Sequence, residues 1–363
     1  MKGLSLFSNV GIGEIFLREM GIDIVIANEI KEERGKFYKH IYPNCNLFVG
    51  DIKKEYEKIK KEALKEKCEF LLATPPCQGM SIAGKRNYAD TRNSLITYVI
   101  DMIHDIKPKL VLIENVPKFL KLEIEYKNIK KNIDEIFDEE FSNEYFITKG
   151  ILDTKDYGIP QTRKRSFILM SLEKKWNFPQ KEKIKTVRET IGELPSVEAI
   201  VDGEINYFEG NIEKIKICQS VNKWHYPKSH VQRHVEIMKH TPTGKSAFEN
   251  KVYYPKKKDG TRIKGYNTTY KRMEWDEPAP TITTSNGAIS SQCNVHPGRL
   301  LPDGTYSDAR ALTIFEIMLL FTIPKNWNIP KWASDNLIRQ VIGEGIPPLL
   351  IKKIIKSIME ESE

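Results

Sequence analysis

Short, continuously apolar runs recur through the first half of this chain, and they constrain its fold more than any other feature. They lie at 4–7, 23–28, 47–50, 70–73, 109–113, 145–152 and 166–171. Runs that do not alternate with polar residues belong to strands buried on both faces. Longer helical patterns, such as 93–107, separate several of them. The combination predicts an α/β fold, a Rossmann-like, doubly wound, mostly parallel sheet with helices on both faces. Sheets of this kind bind ligands beyond the carboxyl ends of their strands.

The residues at those ends form a pattern. Phe7, Ser8, Asn9, Val10, Gly11, Ile12 and Gly13 follow the first run, Glu29 the second and Asp51 the third. Thr74-Pro75-Pro76-Cys77-Gln78 follows the fourth, and Glu114-Asn115-Val116 the fifth. A turn, two acids, a thiol and a third acid are thus expected along one edge. Glu29 lies about 20 residues after the first turn, where dinucleotide-type sites place the acceptor for a ribose diol. Asp51 suits an adenine amine. The turn "SNVGIG" is neither GxGxxG nor a phosphate-cradling loop. A cofactor without a pyrophosphate is therefore favoured, and S-adenosylmethionine fits. The plainer alternative is that these acids merely end strands in solvent.

Proline fixes its own φ and donates no amide, so Pro75 and Pro76 stiffen the chain just before Cys77. A thiolate is a strong carbon nucleophile. With Glu114 on the same edge, a thiol and a carboxyl can attack and protonate one heterocycle. Cys45 and Cys68 read as inert core thiols. The cysteines number five, with no CxxC spacing, and read as reduced thiols of a cytoplasmic protein. His230 and His234 have i, i+4 spacing, but no third ligand stands near, so with His225 and His240 they read as a polar helix face rather than a metal site. No apolar run approaches the ~20 residues of a membrane span.

The texture changes near residue 186. The expected division is a catalytic and cofactor-binding domain at 1–185, a smaller domain at 186–325, and a segment at 326–363 that returns to the first. The net charge of +8 permits a polyanionic partner. Within 251–272, Lys256, Lys257, Lys258 and five other basic residues face one acid, Asp259, with four tyrosines interleaved. That mixture suits a nucleic-acid backbone, with a solvated loop as the alternative. Arg163 and Arg165, in "QTRKR", precede a buried strand at the proposed edge.

The order of these pieces resembles the cytosine-C5 DNA methyltransferases of bacteria and archaea along nearly the whole chain. The matching blocks are "LFSNVGIGE", "NE" with Glu29, "GDI" with Asp51, "PPCQGMS", "ENV", "QTRKR", "RALTIFE" and "GEGIPP". The resemblance implies Cys77 as the nucleophile, Glu114 as the group that protonates cytosine N3, and Arg163 and Arg165 as supports of the catalytic pocket. It implies an S-adenosylmethionine site of Phe7, Ser8, Asn9, Gly11, Glu29, Asp51, Ile52, Pro76 and Glu344. Contacts to DNA would come from Gln78, Ser81, Arg92, Lys256, Lys257, Lys258, Thr283 and Thr284, with 186–325 as a target-recognition domain. It implies a monomer acting on duplex DNA at a specific site, as the modification enzyme of a restriction-modification system whose endonuclease is a genetic partner. The chain departs from the family at Asn9 and Ile12, where glycine is more usual, at Phe315 before Glu316, and at Glu344, where asparagine is usual. An RNA cytosine methyltransferase shares the same blocks; the long basic region favours DNA. An exocyclic-amine methyltransferase would carry an aromatic where Cys77 stands, and a catalytically dead DNA-binding module would not need the Cys77–Glu114 pair.

Overall fold

Phe70-Leu71-Leu72-Ala73 is apolar at every position, and all four residues are buried. In the computed structural model, which describes residues 1–76, 95–257 and 259–359, this run lies inside a seven-stranded sheet. The strands are β1 (Lys2–Leu6), β2 (Asp23–Glu29), β3 (Asn46–Val49), β4 (Phe70–Ala73) and β5 (Leu110–Asn115), then β8 (Phe146–Asp153) and β9 (Lys164–Ser171). A separate small hairpin, β6 (Glu123–Tyr126) and β7 (Ile129–Asn132), falls between β5 and β8. The sheet order is β3-β2-β1-β4-β5-β9-β8. The first five strands are mutually parallel, so their carboxyl ends share one edge.

The helices between them are α1 (Glu32–Ile41), α2 (Ile52–Glu66), α3 (Leu95–Ile106) and α4 (Ile133–Phe141). In α3, Ile96, Val99, Ile100 and Ile103 recur on one face and are buried. They pack with Ile59 and Ala63 of α2 and with Leu71, Val111 and Ile113 of the sheet. Burying each large aliphatic side chain in this layer contributes about 1.5–3 kcal/mol.

The strand β9 runs antiparallel to both β5 and β8. A parallel return needs a crossover of a dozen or more residues, usually a helix. The link from Asp153 to Lys164 contains only the single turn Thr154–Tyr157, so the chain comes straight back. Arg165 is thereby delivered beside Glu114, because Ser166 pairs with Asn115 and Phe167 with Glu114.

The chain forms two compact units: 1–153 with 164–181 and 348–363, and 154–163 with 182–347. The second contains α5 (Val187–Ile191), β10 (Ile200–Val201), α6 (Asn211–Val221), β11 (Ser229–His230), α7 (Gln232–Lys239), α8 (Ile314–Leu320) and α9 (Asp335–Glu344). The segment expected to return from 326 is divided. Residues 326–347 belong to the second unit, where Arg339 of α9 donates to the carbonyls of Leu312 and Asn286. Gly345-Ile346-Pro347 then separates α9 from the last helix, Pro348–Met359, which starts on a proline, a residue preorganised for a first helical position. Only that helix returns: Trp176 of the first unit is buried and donates its indole N–H to the Ile354 carbonyl at 2.8 Å.

The histidines do not form the polar face expected of them. His225 and His230 are buried, bonded respectively to Thr313 Oγ1 and the Ala311 amide, and His234 meets the Tyr270 hydroxyl. Among the described residues, no group of three or more His, Cys, Asp or Glu is placed to hold a metal ion. No described helix is long and apolar enough to cross a membrane.

Candidate active site at the carboxyl edge of the sheet

Where β1 ends, the backbone turns through two left-handed non-glycine residues, Phe7 at φ 60° and Asn9 at φ 52°. Such conformations cost on the order of 1 kcal/mol each and persist where surrounding contacts impose them. The contacts are specific. The Ser8 amide donates to the Asn28 carbonyl at 2.9 Å, and the Asn9 amide donates to Glu29 Oε2 at 2.9 Å. Gly11, at φ 74°, is required twice: an added Cβ would lie 2.4 Å from the Tyr42 ring, whose hydroxyl donates to the Gly11 carbonyl. Ser8 is buried beneath this turn, and Phe7 is half-buried.

Glu29 ends β2 with only 5% of its surface exposed. Its carboxylate accepts from the Asn9 and Lys31 amides, each at 2.9 Å. Asp51 follows β3 and caps α2, accepting from the Lys53 amide at 3.0 Å. Ile52 turns its side chain into the core, and Pro76 is half-buried at the end of the β4 strand. Two anchored carboxylates after adjacent strands, with a half-buried aromatic at the end of β1, form an acceptor set that fits the hydroxyls and amine of an adenosine-containing group. Glu344, expected with them, is the exposed last residue of α9 in the second unit.

Glu114, near the end of β5, is 7% exposed and pairs with Arg165, Nε to Oε1, at 3.0 Å. Burial pushes the Arg165 guanidinium below its usual range, and Glu114 opposes that shift. Arg163 was expected beside them. It belongs to the second unit, is buried, and donates to the carbonyls of Ile282, Gly343 and Gly345 at 2.9–3.0 Å. Together with Gln161, whose Oε1 accepts from the Ile282 amide, it fixes the segment leading to Thr283 and Thr284. Thr284 is exposed there and Thr283 half-buried. Lys256 and Lys257 are exposed, with the Lys256 ammonium 4.7 Å from the centre of the Tyr254 ring. Cys77, Gln78, Ser81, Arg92 and Lys258 lie outside the described residues.

Cys45 and Cys68 are buried, and burial pushes both thiols up to about 12. A thiol so placed is a poor nucleophile at neutral pH.

From the sequence, Thr74 and Asn115 stand at strand ends without a role, and Ser166 is not singled out. Asn115 Nδ2 donates to the Pro75 carbonyl at 2.8 Å, Ser166 Oγ to the Val116 carbonyl at 2.9 Å, and Thr74 Oγ1 to the Phe7 carbonyl at 2.9 Å. The available signal was a pair of prolines at a strand end. Prolines leave neighbouring strands without amide partners, so nearby polar side chains take over the bridging.

Solved structures share this architecture. A DNA modification methyltransferase encoded within an Escherichia coli prophage superposes with a TM-score of 0.69 at 20% identity, over 99% of this chain and 98% of that one. The Entamoeba histolytica methyltransferase EhMeth gives 0.60 at 17% identity, over 100% and 99%. The fold is the Rossmann-like fold of S-adenosylmethionine-dependent methyltransferases. Residues 1–360 match the family of C-5 cytosine-specific DNA methylases, and the chain belongs to that family. It is 51% identical to the Type II methyltransferase M1.HgaI of Avibacterium volantium, over 100% of this chain and 99% of that protein. It is 25% identical to M.DdeI of Desulfomicrobium norvegicum, over 99% and 88%.

Proposed function

We propose that this protein methylates C5 of a cytosine flipped out of a specific duplex DNA sequence, by way of a covalent bond between Cys77 and C6. The observation that carries the reading is the pair of buried Glu114 and half-buried Arg165 at the strand edge next to the one that leads into Cys77. Cytosine C5 is a poor nucleophile within its aromatic ring. Addition of the Cys77 thiolate at C6 makes C5 enamine-like. Glu114 stabilises the adduct by giving a proton to N3, and Arg165 holds the Glu114 carboxyl in place. S-adenosylmethionine, when bound, supplies an electrophilic methyl group; Phe7, Ser8, Asn9, Gly11, Glu29, Asp51, Ile52 and Pro76 are the residues proposed to hold it. Loss of the C5 proton and expulsion of the thiol restore the ring. A thiol cannot reach C6 inside a stacked duplex, so the base must leave the stack.

The first unit carries this chemistry, and the second reads the sequence, holding the DNA backbone through Lys256, Lys257 and Lys258 and contacting the DNA through Thr283 and Thr284. Arg163 acts there as an anchor of the Thr283–Thr284 segment. The names of the relatives, Type II methyltransferases, support a place as the modification enzyme of a restriction-modification system. The protein works as a monomer in the cytoplasm, and a restriction endonuclease is its genetic partner. The test is bisulfite sequencing of DNA from cells expressing the protein: protected cytosines should fall at one position of one short sequence. Conversion of every cytosine in that DNA would refute the activity.

The reading surface is tested separately. Replacing Lys256, Lys257 and Lys258 by glutamine should weaken DNA binding and flatten the slope of log affinity against log salt by up to about 3, since each phosphate contact adds close to one. An unchanged slope would make 251–272 a solvated loop.

A further inference from the structure

Pro75 and Pro76 carry no N–H, so beyond Ala73 they give β1 and β5 no amide to pair with. Side chains bridge the gap on both flanks. Towards β5, Asn115 Nδ2 holds the Pro75 carbonyl. Towards β1, the Thr74 amide makes the last backbone bond, to the Leu6 carbonyl at 3.2 Å. Its hydroxyl then reaches one residue further, to the Phe7 carbonyl at 2.9 Å. The partners are 67 residues apart in sequence, so this is not a local turn. The two strands also flank the point where the sheet order reverses, the place where doubly wound sheets take their ligands. Phe7 is left-handed there, a conformation that L side chains disfavour.

We infer that Thr74 is a positioning residue that locks the left-handed Phe7 turn to the strand leading into Cys77. The inference rests on the reading of the Phe7–Glu29 turn as the cofactor's. The hydroxyl orients the Phe7 peptide on one side and the approach to Cys77 on the other. Without it, the Phe7 peptide relaxes into other conformations, and apparent cofactor affinity falls by the fraction of molecules that keep the competent turn. The same loss loosens the approach to Cys77, and small misplacements of a reacting group are costly in rate.

The experiment uses the full-length protein with S-adenosylmethionine and a duplex containing its target. Thr74→Val keeps shape and removes the hydroxyl. Cofactor affinity by calorimetry should weaken about fivefold, the scale of one neutral hydrogen bond. The rate at saturating cofactor should also fall, while DNA affinity stays within about twofold. Thr74→Ser, which restores the hydroxyl, should recover both losses. Glu29→Ala runs in parallel and should weaken cofactor binding by at least about fivefold, because it removes a charged acceptor. If Glu29→Ala weakens the cofactor and Thr74→Val leaves affinity and rate at wild-type values, the inference falls and the cofactor reading stands. If Glu29→Ala binds normally, the cofactor reading falls and takes the inference with it. A Thr74→Val loss shared equally by DNA affinity and melting temperature, or one that serine does not restore, would make Thr74 a general structural residue and overturn the inference.

Discussion

DNA carrying 5-fluorocytosine at the target position should become covalently attached to this protein and stay attached through denaturing electrophoresis. Turnover by the proposed route ends only when a proton leaves C5. Fluorine removes that proton, so attack and methylation proceed but elimination cannot. Trapping should therefore require S-adenosylmethionine, because the ring is locked only after methylation. It should vanish in Cys77→Ser, whose hydroxyl is far less ionised than a thiol near neutral pH. Cys68→Ser and Cys45→Ser should trap like the wild type, since those thiols are buried and held up to about 12. Glu114→Gln should trap about 10²–10⁴-fold more slowly, the usual contribution of a positioned general acid. It also leaves the half-buried Arg165 without its anionic partner. A complex that persists in Cys77→Ser would eliminate Cys77 as the nucleophile.

The part of this site that was legible in the sequence was the part fixed by strand ends. Parallel β1 to β5 each finish at the same edge, so Phe7, Glu29, Asp51 and Glu114 needed only the apolar runs to be located. Side-chain direction was not legible. Arg163 and Arg165 are two positions apart, and nothing local tells which guanidinium meets Glu114. The antiparallel return of β9 decides it: Arg165 meets the acid while Arg163 joins the other unit among backbone carbonyls. The histidine spacing 230, 234 pointed to a helix face, yet the structure sinks His230 against Ala311, since a neutral imidazole that finds hydrogen-bond partners can be buried. The break at Gly345–Pro347 is lost when 326–363 is read as one segment, and which helix joins which unit depends on partners far away in sequence, Asn286 for α9 and Trp176 for the last helix.

Removing the Glu316 carboxylate should be the most destabilising single truncation in the second unit. "RALTIFE" places Arg310 and Glu316 six residues apart across the start of α8, where Thr313 caps the helix and accepts from the Glu316 amide. The Arg310 guanidinium is fully buried and forms a two-pronged pair with Glu316, at 2.8 Å on both prongs, and a third bond to Asp308 at 2.9 Å. Arg272, also fully buried, donates to the Asp308 and His296 carbonyls. Arg299 adds a third cation 3.7 Å from Asp308, and buried Glu198, which accepts from the Asp308 amide, adds a third carboxylate, so the charges balance provided the buried imidazole of His296, 3.8 Å from both Asp308 and Glu316, stays neutral. Glu316→Ala upsets the balance, and breaking a buried pair costs about 3–5 kcal/mol because a charge is stranded. The denaturant midpoint should fall accordingly; a change below about 1 kcal/mol would mean that Asp308 alone satisfies Arg310. The same cluster sets the acid limit. Burial lowers His230 to about 3 and His296 to about 4 from the ordinary 6.5, so the fold holds both neutral. Their contribution is complete above pH 6.5 and is lost as pH falls, by about 2 kcal/mol each at pH 5. Below pH 4.5 a second loss begins, because Arg310, against the opposing effect of burial, holds Glu316 at about 2 and the unfolded chain protonates first. His225 and His234 are lowered by burial as well and add to this loss, so His296→Gln, which has no proton to gain, should remove only its own share, about 2 kcal/mol between pH 6.5 and 5. If it leaves that slope unchanged, the groups that protonate on acid unfolding lie elsewhere in the chain.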